Sequence, residues 1–366
     1  MQNLVNDNPH KRNYTFIDDI RCLAMMSIVA DHSFGMGDYI FKSYGAGFWA
    51  YAVNIQVAKF GTITFFLMAG FLLGDKFAEY TPGQYLGRRF KSTFKPWIIW
   101  SLVFLVAIMV KNAIMSLRIY HDPYNFGTDL LHTLKVVYLD SNYWFIINFL
   151  ICIGILLMFK RQLYSWKLGA VLLACTLFYS VNIYFEWIYP IHTTAIFGFV
   201  FFLWLGAQLH KHWEALEREI RSTPYLIFVL LYLLTLTLAL AESRYLFDRT
   251  SQDPFNTLRV TNILYSLASF ALLVKIGNFN LTGYFKPRET TYGIYLIHYI
   301  MVFNLLPEIL IHLNLENPGD MPALSLAVYQ YSRFLVVYLV TLFLVKGINR
   351  TRFRWIIGNN TAIAKK

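Results

Sequence analysis

The stretch that decides the fold is Tyr14–Phe34, YTFIDDIRCLAMMSIVADHSF, an apolar run of helical length that nevertheless carries several ionisable side chains. Asp18 and Arg21 lie in its first half, and Asp31 and His32 lie near its end. A charged side chain at the centre of a membrane helix costs about 2.5 to 3.5 kcal/mol. Residues retained at that cost face a bundle interior or an aqueous cavity, so the stretch predicts a polar centre inside an otherwise apolar bundle.

The spacing of these side chains predicts a shared helix face. Arg21 and His32 are 11 residues apart, which places them within about 20° of three full turns, with a rise of about 16 Å. Asp18 precedes Arg21 at ion-pair spacing, Asp31 is expected to meet a neighbouring helix, and Asp19 is expected at the membrane interface. An imidazole suits proton transfer near neutral pH. The alternative is a snorkelling arginine and a histidine that only packs.

Composition extends the membrane interpretation to the whole chain. Of 366 residues, 57% are hydrophobic and 14% are charged, against roughly 25% charged residues in a soluble protein. The net charge is +11, but a chain this apolar does not fit a nucleic-acid binder, so nucleic acid is not expected as a partner. The three cysteines are an odd number within apolar stretches and predict no disulfide framework.

Hydropathy predicts an all-α polytopic integral membrane protein with about ten transmembrane helices, forming a single membrane-embedded domain over residues 1–366. The expected spans are 14–34, 50–73, 96–111, 143–159, 168–185, 191–210, 224–241, 259–276, 291–312 and 324–346. Each run is far longer than a strand of a transmembrane barrel. The polar segments 112–142 and 242–256 are expected to be solvated outer loops or, alternatively, to meet a polar ligand outside.

The basic residues predict which side of the membrane each segment faces. If the chain begins in the cytoplasm, 22 of the 32 Lys and Arg residues fall in cytoplasmic segments and seven fall in outer segments. Arg21, Lys59 and Arg333 fall within spans or at their edges. Positive residues concentrate on the cytoplasmic side of membrane proteins, so both termini are predicted to be cytoplasmic.

A second intramembrane histidine, His298, ends the segment Thr291–His298 (TYGIYLIH) in the ninth expected span. It lies about two turns from the cytoplasmic end of that span. We expect it to mark the polar interior, because ionisable groups in membrane helices face one another or a cavity. The alternative is a hydrogen bond that only joins two helices.

The loop Tyr85–Pro96 (YLGRRFKSTFKP) concentrates positive charge at the predicted cytoplasmic face. Its cations are Arg88, Arg89, Lys91 and Lys95. Such a cluster can bind phosphate groups. Alternatively, it serves as a topology signal or contacts anionic lipids.

Five short motifs follow one another along the chain. They are IDDIRCLAMMSIVADH at 17–32, FFLMAGFL at 65–72, the Arg88-Arg89 pair followed by Pro96, YWF at 143–145, and TYGIYLIH at 291–298. In this order they resemble the acyltransferase-3 family of integral membrane proteins, which includes O-acetyltransferases of bacterial surface polysaccharides. Cys22 stands where the family usually has glycine, and Ala69 replaces its serine, so that position offers no hydroxyl.

The resemblance implies an O-acyltransferase that moves an acyl group, most commonly acetyl, from cytoplasmic acyl-CoA to a hydroxyl of a surface carbohydrate or glycolipid. It implies membrane lipids as partners and the bacterial inner membrane as location, with acyl-CoA as a substrate and no permanently bound cofactor or metal. His32 is expected as general base on the acceptor hydroxyl, or as the group that first accepts the acyl group. Arg21, held by Asp18, would orient the donor or stabilise developing charge. The remaining expected donor-binding residues are Arg88, Arg89, Lys91 and His298, and the alternative role of His298 is to support the residues that contact the substrates.

The polar centre also fits a second class of protein. A transporter or exporter of a polysaccharide or lipid would use buried Asp, Arg and His side chains as a proton or substrate pathway. The chain shows no paired helices interrupted by Gly or Pro in matching halves, a common feature of transporters with inverted repeats. The basic loop also fits a phosphate-bearing donor better, so the acyltransferase is the preferred hypothesis.

Overall fold

The computed structural model describes residues 15–35, 44–121, 123–277, 279–311 and 318–359, and these residues contain no β-strand. Five of the basic residues counted in the prediction of topology lie outside the described residues, namely Lys11, Arg12, Lys42, Lys365 and Lys366. The described α-helices are α1 (Thr15–Phe34), α2 (Ala46–Ala58), α3 (Gly61–Glu79), α4 (Pro82–Arg89), α5 (Lys95–Ile114), α6 (Phe126–Lys135), α7 (Trp144–Met158), α8 (Trp166–Phe185), α9 (Ile196–Lys211), α10 (Trp213–Ser222), α11 (Tyr225–Asp248), α12 (Val260–Ile276), α13 (Thr282–Phe285), α14 (Pro287–Ile300), α15 (Leu306–Ile311) and α16 (Ala323–Asn349).

Several helices continue into other helical turns. The π-helical turns are Phe90–Phe94 after α4, Met115–Tyr120 after α5, Val136–Asp140 after α6 and Met301–Leu305 after α14. The 3₁₀ turns are Lys160–Gln162, Pro318–Asp320 and Arg354–Ile357. Short π-helical turns are frequent at functional sites, and the turn after α14 begins three residues beyond His298.

Five helical segments among the described residues are long and apolar enough to cross a membrane. They are Ala46–Gly74, Pro82–Ile119, Trp166–Phe185, Tyr225–Asp248 and Ala323–Asn349. A sixth is added if Phe126–Asp140 and Trp144–Met158, which meet at 55°, form one bent span. All ten expected spans overlap described helices. The all-helical membrane architecture is thus confirmed, while the number of ten spans and the side on which each terminus lies remain predictions.

The second expected span consists of two helices, α2 and α3, because the chain breaks at Lys59. Gly61 lets α3 begin directly against α1, since a Cβ atom at this position would lie 2.2 Å from Ser27 Oγ. The break places Lys59 Nζ 2.9 Å from Asp31 Oδ2 on α1. The expectation that Asp31 meets a neighbouring helix is therefore confirmed. The Asp31–Lys59 ion pair formed at this break is part of the polar centre.

The expectation of a solvated loop over residues 112–142 is wrong. This segment completes α5 and forms two π-helical turns with α6 between them. Asn125 caps α6 by accepting a hydrogen bond from the Thr128 N–H at 3.2 Å. Leu130 and Leu134 pack against the core. The segment is polar in overall composition, but α6 turns an apolar face to the core and is therefore amphipathic.

The centre of the bundle is tightly packed around α1, α3 and α9. A Cβ atom at Gly70 would lie 1.9 Å from the Leu203 carbonyl oxygen, and one at Gly206 would lie 2.1 Å from the Leu67 carbonyl oxygen. Such close approach at small residues is typical of membrane helices. α1 packs against α2, α3, α14 and α16, so its polar stripe is enclosed on several sides.

Candidate active site

α1 and α14 run parallel and begin at the same end of the bundle, which we call the basic end. Asp18 joins them there, because its carboxylate accepts hydrogen bonds from Arg21 Nη1 at 3.0 Å and from Arg288 Nε at 2.6 Å. The Asp18–Arg21 ion pair predicted from spacing is confirmed. Two guanidinium groups share one nearly buried carboxylate, so the cluster of Asp18, Arg21 and Arg288 keeps a net positive charge.

A cavity of about 290 Å³, which we call the arginine cavity, lies beside this ionic group. Arg21, Arg89 and Arg288 supply its charged walls. Its apolar walls include Met25, Ile28, Phe65, Met68, Leu72 and Phe149. Three cations at one end of a narrow apolar cavity can hold a ligand with an anionic head and a slender apolar arm.

Only part of the predicted basic cluster reaches this cavity. Arg89 lines it and donates from Nε to the Tyr85 hydroxyl at 2.7 Å. Arg88 is exposed, donates to the Tyr80 hydroxyl at 2.8 Å and lies over that ring. Lys91 is also exposed and does not line the cavity. The structure therefore separates Arg89 from the other two expected phosphate ligands.

Asp19 is fully buried, and its expected position at the membrane interface stays a prediction. Its carboxylate accepts hydrogen bonds from the backbone N–H groups of Phe279 at 2.9 Å and Leu281 at 3.2 Å. These bonds fix the segment that leads into α13. The role is structural, and backbone donors of a distant segment leave no signal in the sequence around Asp19.

The two intramembrane histidines meet: His32 Nδ1 lies 2.9 Å from His298 Nε2. His298 Nδ1 lies 3.0 Å and 2.9 Å from the carbonyl oxygens of Ile294 and Tyr295. Carbonyl oxygens only accept hydrogen bonds, so we assign the proton of neutral His298 to Nδ1. His298 Nε2 then accepts the His32 Nδ1 proton, which leaves the lone pair of His32 on Nε2.

His32 Nε2 is therefore the ring nitrogen of the pair whose lone pair stays available. Among the described residues, no group forms a hydrogen bond with it, and the His32 ring lies perpendicular to the Tyr299 ring at a centroid distance of 5.1 Å. A ring held through one nitrogen with a lone pair on the other is arranged as a general base or nucleophile.

The start of α7 holds His298 in place. Tyr143 donates from its hydroxyl to the Leu296 carbonyl oxygen at 2.6 Å, and Asn142 Nδ2 donates to the Tyr295 carbonyl oxygen at 3.0 Å. Tyr295 donates back to the Asn142 carbonyl oxygen at 2.5 Å. These bonds pin the turn of α14 that carries His298, so the histidine pair is rigidly supported.

A second cavity of about 1000 Å³, which we call the histidine cavity, lies toward the opposite end of the bundle and is lined by His32. It shares Ile28, Phe145 and Tyr295 with the arginine cavity. The two cavities therefore adjoin at these three residues, and we call this boundary the neck. His32 follows Ile28 by one helical turn, so it stands just beyond the neck on the side of the larger cavity.

The walls of the histidine cavity combine charges with aromatic rings. Asp31 and Lys59 form the ion pair already described, while Asp253 and Arg333 add further charges. Its aromatic walls include Tyr51, Trp144, Tyr299 and Tyr329. His192 stacks on Trp144 with a centroid distance of 4.8 Å. Charged and aromatic walls are suited to a polar organic ligand.

One side of this cavity is fixed by a small polar cluster. Asn112, which lines the cavity, donates from Nδ2 to Asp129 Oδ1 at 2.7 Å. The Tyr124 hydroxyl donates to the same carboxylate at 2.6 Å, and this hydrogen bond raises the pKa of Tyr124 to about 12. The phenol therefore stays protonated and keeps the cluster intact at neutral pH.

The structure brings together most of the expected site residues and adds others. Asp18, Arg21, Arg89, His32 and His298 follow one path through the bundle. The residues that sequence reasoning missed as parts of the site are Arg288, Lys59, Trp144, His192 and Arg333. The sequence does contain an indication that Arg288 belongs to the site. Arg288 precedes His298 by ten residues, which is nearly the spacing of Arg21 and His32. Among the described residues, no group of three or more His, Cys, Asp or Glu could hold a metal ion.

Fold and site together define a helical membrane protein whose central histidine stands where a cationic cavity meets a larger polar one. The acyltransferase-3 family model, described as an acyltransferase domain, matches residues 14–345. The chain belongs to this family and is a membrane acyltransferase. The comparisons with curated proteins and with solved structures give no match. The family assignment favours the acyltransferase hypothesis over the transporter.

Proposed function

We propose that the protein is an O-acyltransferase that moves an acyl group, with acetyl as the simplest case, from acyl-CoA in the arginine cavity to a hydroxyl group in the histidine cavity. The acceptor is a surface carbohydrate or glycolipid, and the basic end faces the cytoplasm of a bacterial inner membrane. The observation that carries this proposal is His32, whose available Nε2 stands beside the neck shared by the two cavities.

The arginine cavity supports a CoA donor. Arg21, Arg89 and Arg288 can bind phosphate oxygens, for which the planar guanidinium is well shaped. The apolar walls beyond them can hold the slender arm that ends in the thioester. Arg21 and His32 are separated by a helical rise of about 16 Å, so Arg21 positions the donor instead of contacting the reacting carbonyl group. Arg88 and Lys91, which are exposed at the same end, would contribute long-range attraction.

The proposed chemistry uses His32 Nε2 as the base. It removes the proton of the acceptor hydroxyl while the hydroxyl oxygen attacks the thioester carbonyl carbon. The new C–O bond forms, the C–S bond breaks, and the departing sulfur of CoA takes up the proton held by His32. In the covalent alternative, Nε2 itself attacks the thioester carbonyl carbon, the C–S bond breaks and CoA leaves as a thiolate. The hydroxyl oxygen then takes the acyl group from Nε2, the N–C bond breaks, and the hydroxyl proton goes to the CoA thiolate. His298 orients the ring in either route.

The test is mass spectrometry of surface glycans from cells that express the protein, compared with cells that lack it. The wild-type chain should add the mass of one acyl group per modified unit, and His32→Ala should add none. His132→Ala is the matched control, because His132 is exposed on α6 and lines neither cavity. A His32→Ala protein that inserts normally and still acylates the glycan would refute the proposal.

A further inference from the structure

Arg333 on α16 is an intramembrane cation for which the proposed transfer has no use. Its side chain lines the histidine cavity. Its Nη1 atom lies 3.5 Å from the Tyr329 hydroxyl, which is one turn earlier on the same helix. Its Nε atom is buried and forms no hydrogen bond. Arginine in a membrane helix normally pairs with an acid or lines a ligand pathway. Arg333 is therefore expected to bind either a carboxylate of the protein or a ligand.

The carboxylates of the cavity do not supply that partner. None of the ion pairs among the described residues includes Arg333. Asp31 is neutralised by Lys59 at 2.9 Å. Asp253 accepts a hydrogen bond from Asn256 at 3.0 Å, and neither Asp253 nor Asp140, the third carboxylate of the cavity, forms an ion pair with Arg333. The described wall therefore presents a guanidinium group that forms no ion pair with a described carboxylate, so its charge is available to a ligand.

Arg333 lies at about the depth of the reactive histidine. Gln330, three residues before it, donates from Nε2 to the Phe34 carbonyl oxygen at 3.1 Å. Phe34 follows His32 by two residues on α1. A ligand in the histidine cavity can therefore face Arg333 with one group while another group faces His32.

The geometry points to Arg333 as the binding site for an anionic group of the acceptor, either a sugar carboxylate or a sugar phosphate. This inference rests on the proposed function, because only the proposed function identifies the ligand of the histidine cavity as the acceptor. A guanidinium binds both oxyanions through paired hydrogen bonds, which the terminal Nη atoms of Arg333 would donate here. The tryptophan wall at Trp144 can pack against the sugar ring. The acceptor is thus an acidic saccharide, with the acylated hydroxyl on the part that reaches His32.

The experiment measures binding to the purified full chain in lipid nanodiscs, without acyl-CoA, so that its outcome does not depend on turnover. The probes are a glucuronate-containing disaccharide, glucose 1-phosphate and the neutral disaccharide cellobiose. One or both acidic probes should bind about tenfold or more tighter than cellobiose, since a charged hydrogen bond contributes at least that much. The tighter of the two identifies the carboxylate or the phosphate as the preferred group.

Variants locate the effect. Arg333→Gln should remove the preference for acidic probes and leave cellobiose binding unchanged, and Arg333→Lys should keep part of it. Arg249→Gln is the control, because Arg249 is an exposed cation at the same end that does not line the cavity. Binding of CoA at the other cavity should be unchanged in Arg333→Gln, which verifies the fold.

Equal binding of all three probes, no binding at millimolar concentrations, or an unchanged preference in Arg333→Gln would overturn the inference. Failure of the proposed function has a different signature. It would appear as surface glycans that gain no acyl mass from the wild-type protein, or that still gain it from His32→Ala, whether or not the acidic probes bind at Arg333.

Discussion

The two cavities differ in size, charge and shape although they meet at one neck. The arginine cavity has a volume of about 290 Å³ and combines three cations with apolar walls. The histidine cavity has about 1000 Å³ and mixes both signs of charge with aromatic rings. A narrow cavity with charges of one sign selects one kind of ligand, whereas a wide mixed cavity can hold a larger polar one. We infer that the first is built for a constant donor and the second for a particular acceptor.

One helix serves both cavities. On α1, Arg21, Met25 and Ile28 face the arginine cavity, and His32 faces the histidine cavity. These positions recur at intervals of three or four residues, so they form a single stripe. Changes on the two sides of Ile28 should therefore affect donor and acceptor separately, and changes at the histidine pair should affect the transfer step itself.

The largest expected effect is at the histidine pair. His298→Leu removes the acceptor of the His32 Nδ1 proton, so the ring loses its orientation and kcat for acyl transfer should fall about 100-fold. The Michaelis constants for donor and acceptor should stay nearly constant, since neither cavity changes. His298→Gln should recover part of the rate, because its amide oxygen can accept the same proton. Release of the CoA thiol measures the rate.

The comparison between the two His298 variants distinguishes orientation from folding. Both replace the same buried side chain, and insertion can be checked by size-exclusion chromatography. If His298→Leu works at the wild-type rate, or if His298→Gln is no better than a properly folded His298→Leu, the assigned proton arrangement is wrong.

The next effect concerns the donor side only. Arg89→Gln combined with Arg288→Gln should raise the KM for acyl-CoA about tenfold or more, because each change removes a charged hydrogen bond to phosphate. The KM for the acceptor should not move. Arg161→Gln is the control, since Arg161 is exposed at the basic end and lines neither cavity. If the double variant and the control raise the KM for acyl-CoA equally, Arg89 and Arg288 act only through general electrostatic attraction and do not bind the phosphates directly.

Arg88→Gln sharpens this result. Arg88 is exposed and bonded to Tyr80, so its loss should raise the KM for acyl-CoA much less than the loss of Arg89 does. Measurement at low and high salt would separate the two, because screening weakens an exposed charge more than an enclosed one. An Arg88 effect as large as that of Arg89 would place the phosphate site outside the arginine cavity.

The smallest expected effect concerns the acceptor side. Trp144→Leu removes an aromatic wall of the histidine cavity and should raise the KM for the acceptor by roughly fivefold, with the KM for acyl-CoA unchanged. Trp187→Leu is the matched control, because Trp187 is exposed and does not line the cavity. A shift in the donor constant instead would contradict the division between the cavities.

Sequence reasoning succeeded where one helix carries the information. The ion pair of Asp18 with Arg21, and the shared stripe of Arg21 and His32, follow from helical periodicity alone. The overall helical class follows from hydropathy in the same way. These features are local, so neighbouring residues are enough to predict them.

The remainder depends on contacts between distant segments. His32 and His298 are 266 positions apart, and no pattern in either helix indicates which histidine donates to the other. The break at Lys59 depends on how closely α3 approaches Ser27. Arg288 is one of the 22 basic residues that predict topology, and nothing near it in the sequence indicates its partner, because Asp18 lies on another helix. The histidine cavity is likewise formed by loops and helices from most of the chain.

The most direct test of the account is an experimental structure of the full chain in a lipid nanodisc with a non-transferable acetyl-CoA analogue. The account predicts phosphate groups beside Arg89 and Arg288, the pantetheine arm along the arginine cavity, and the carbonyl carbon at the neck, near enough to His32 Nε2 for a bound hydroxyl to lie between them at roughly 3 to 3.5 Å from each. An analogue bound in the histidine cavity, or a carbonyl group directed away from Ile28 and His32, would contradict it.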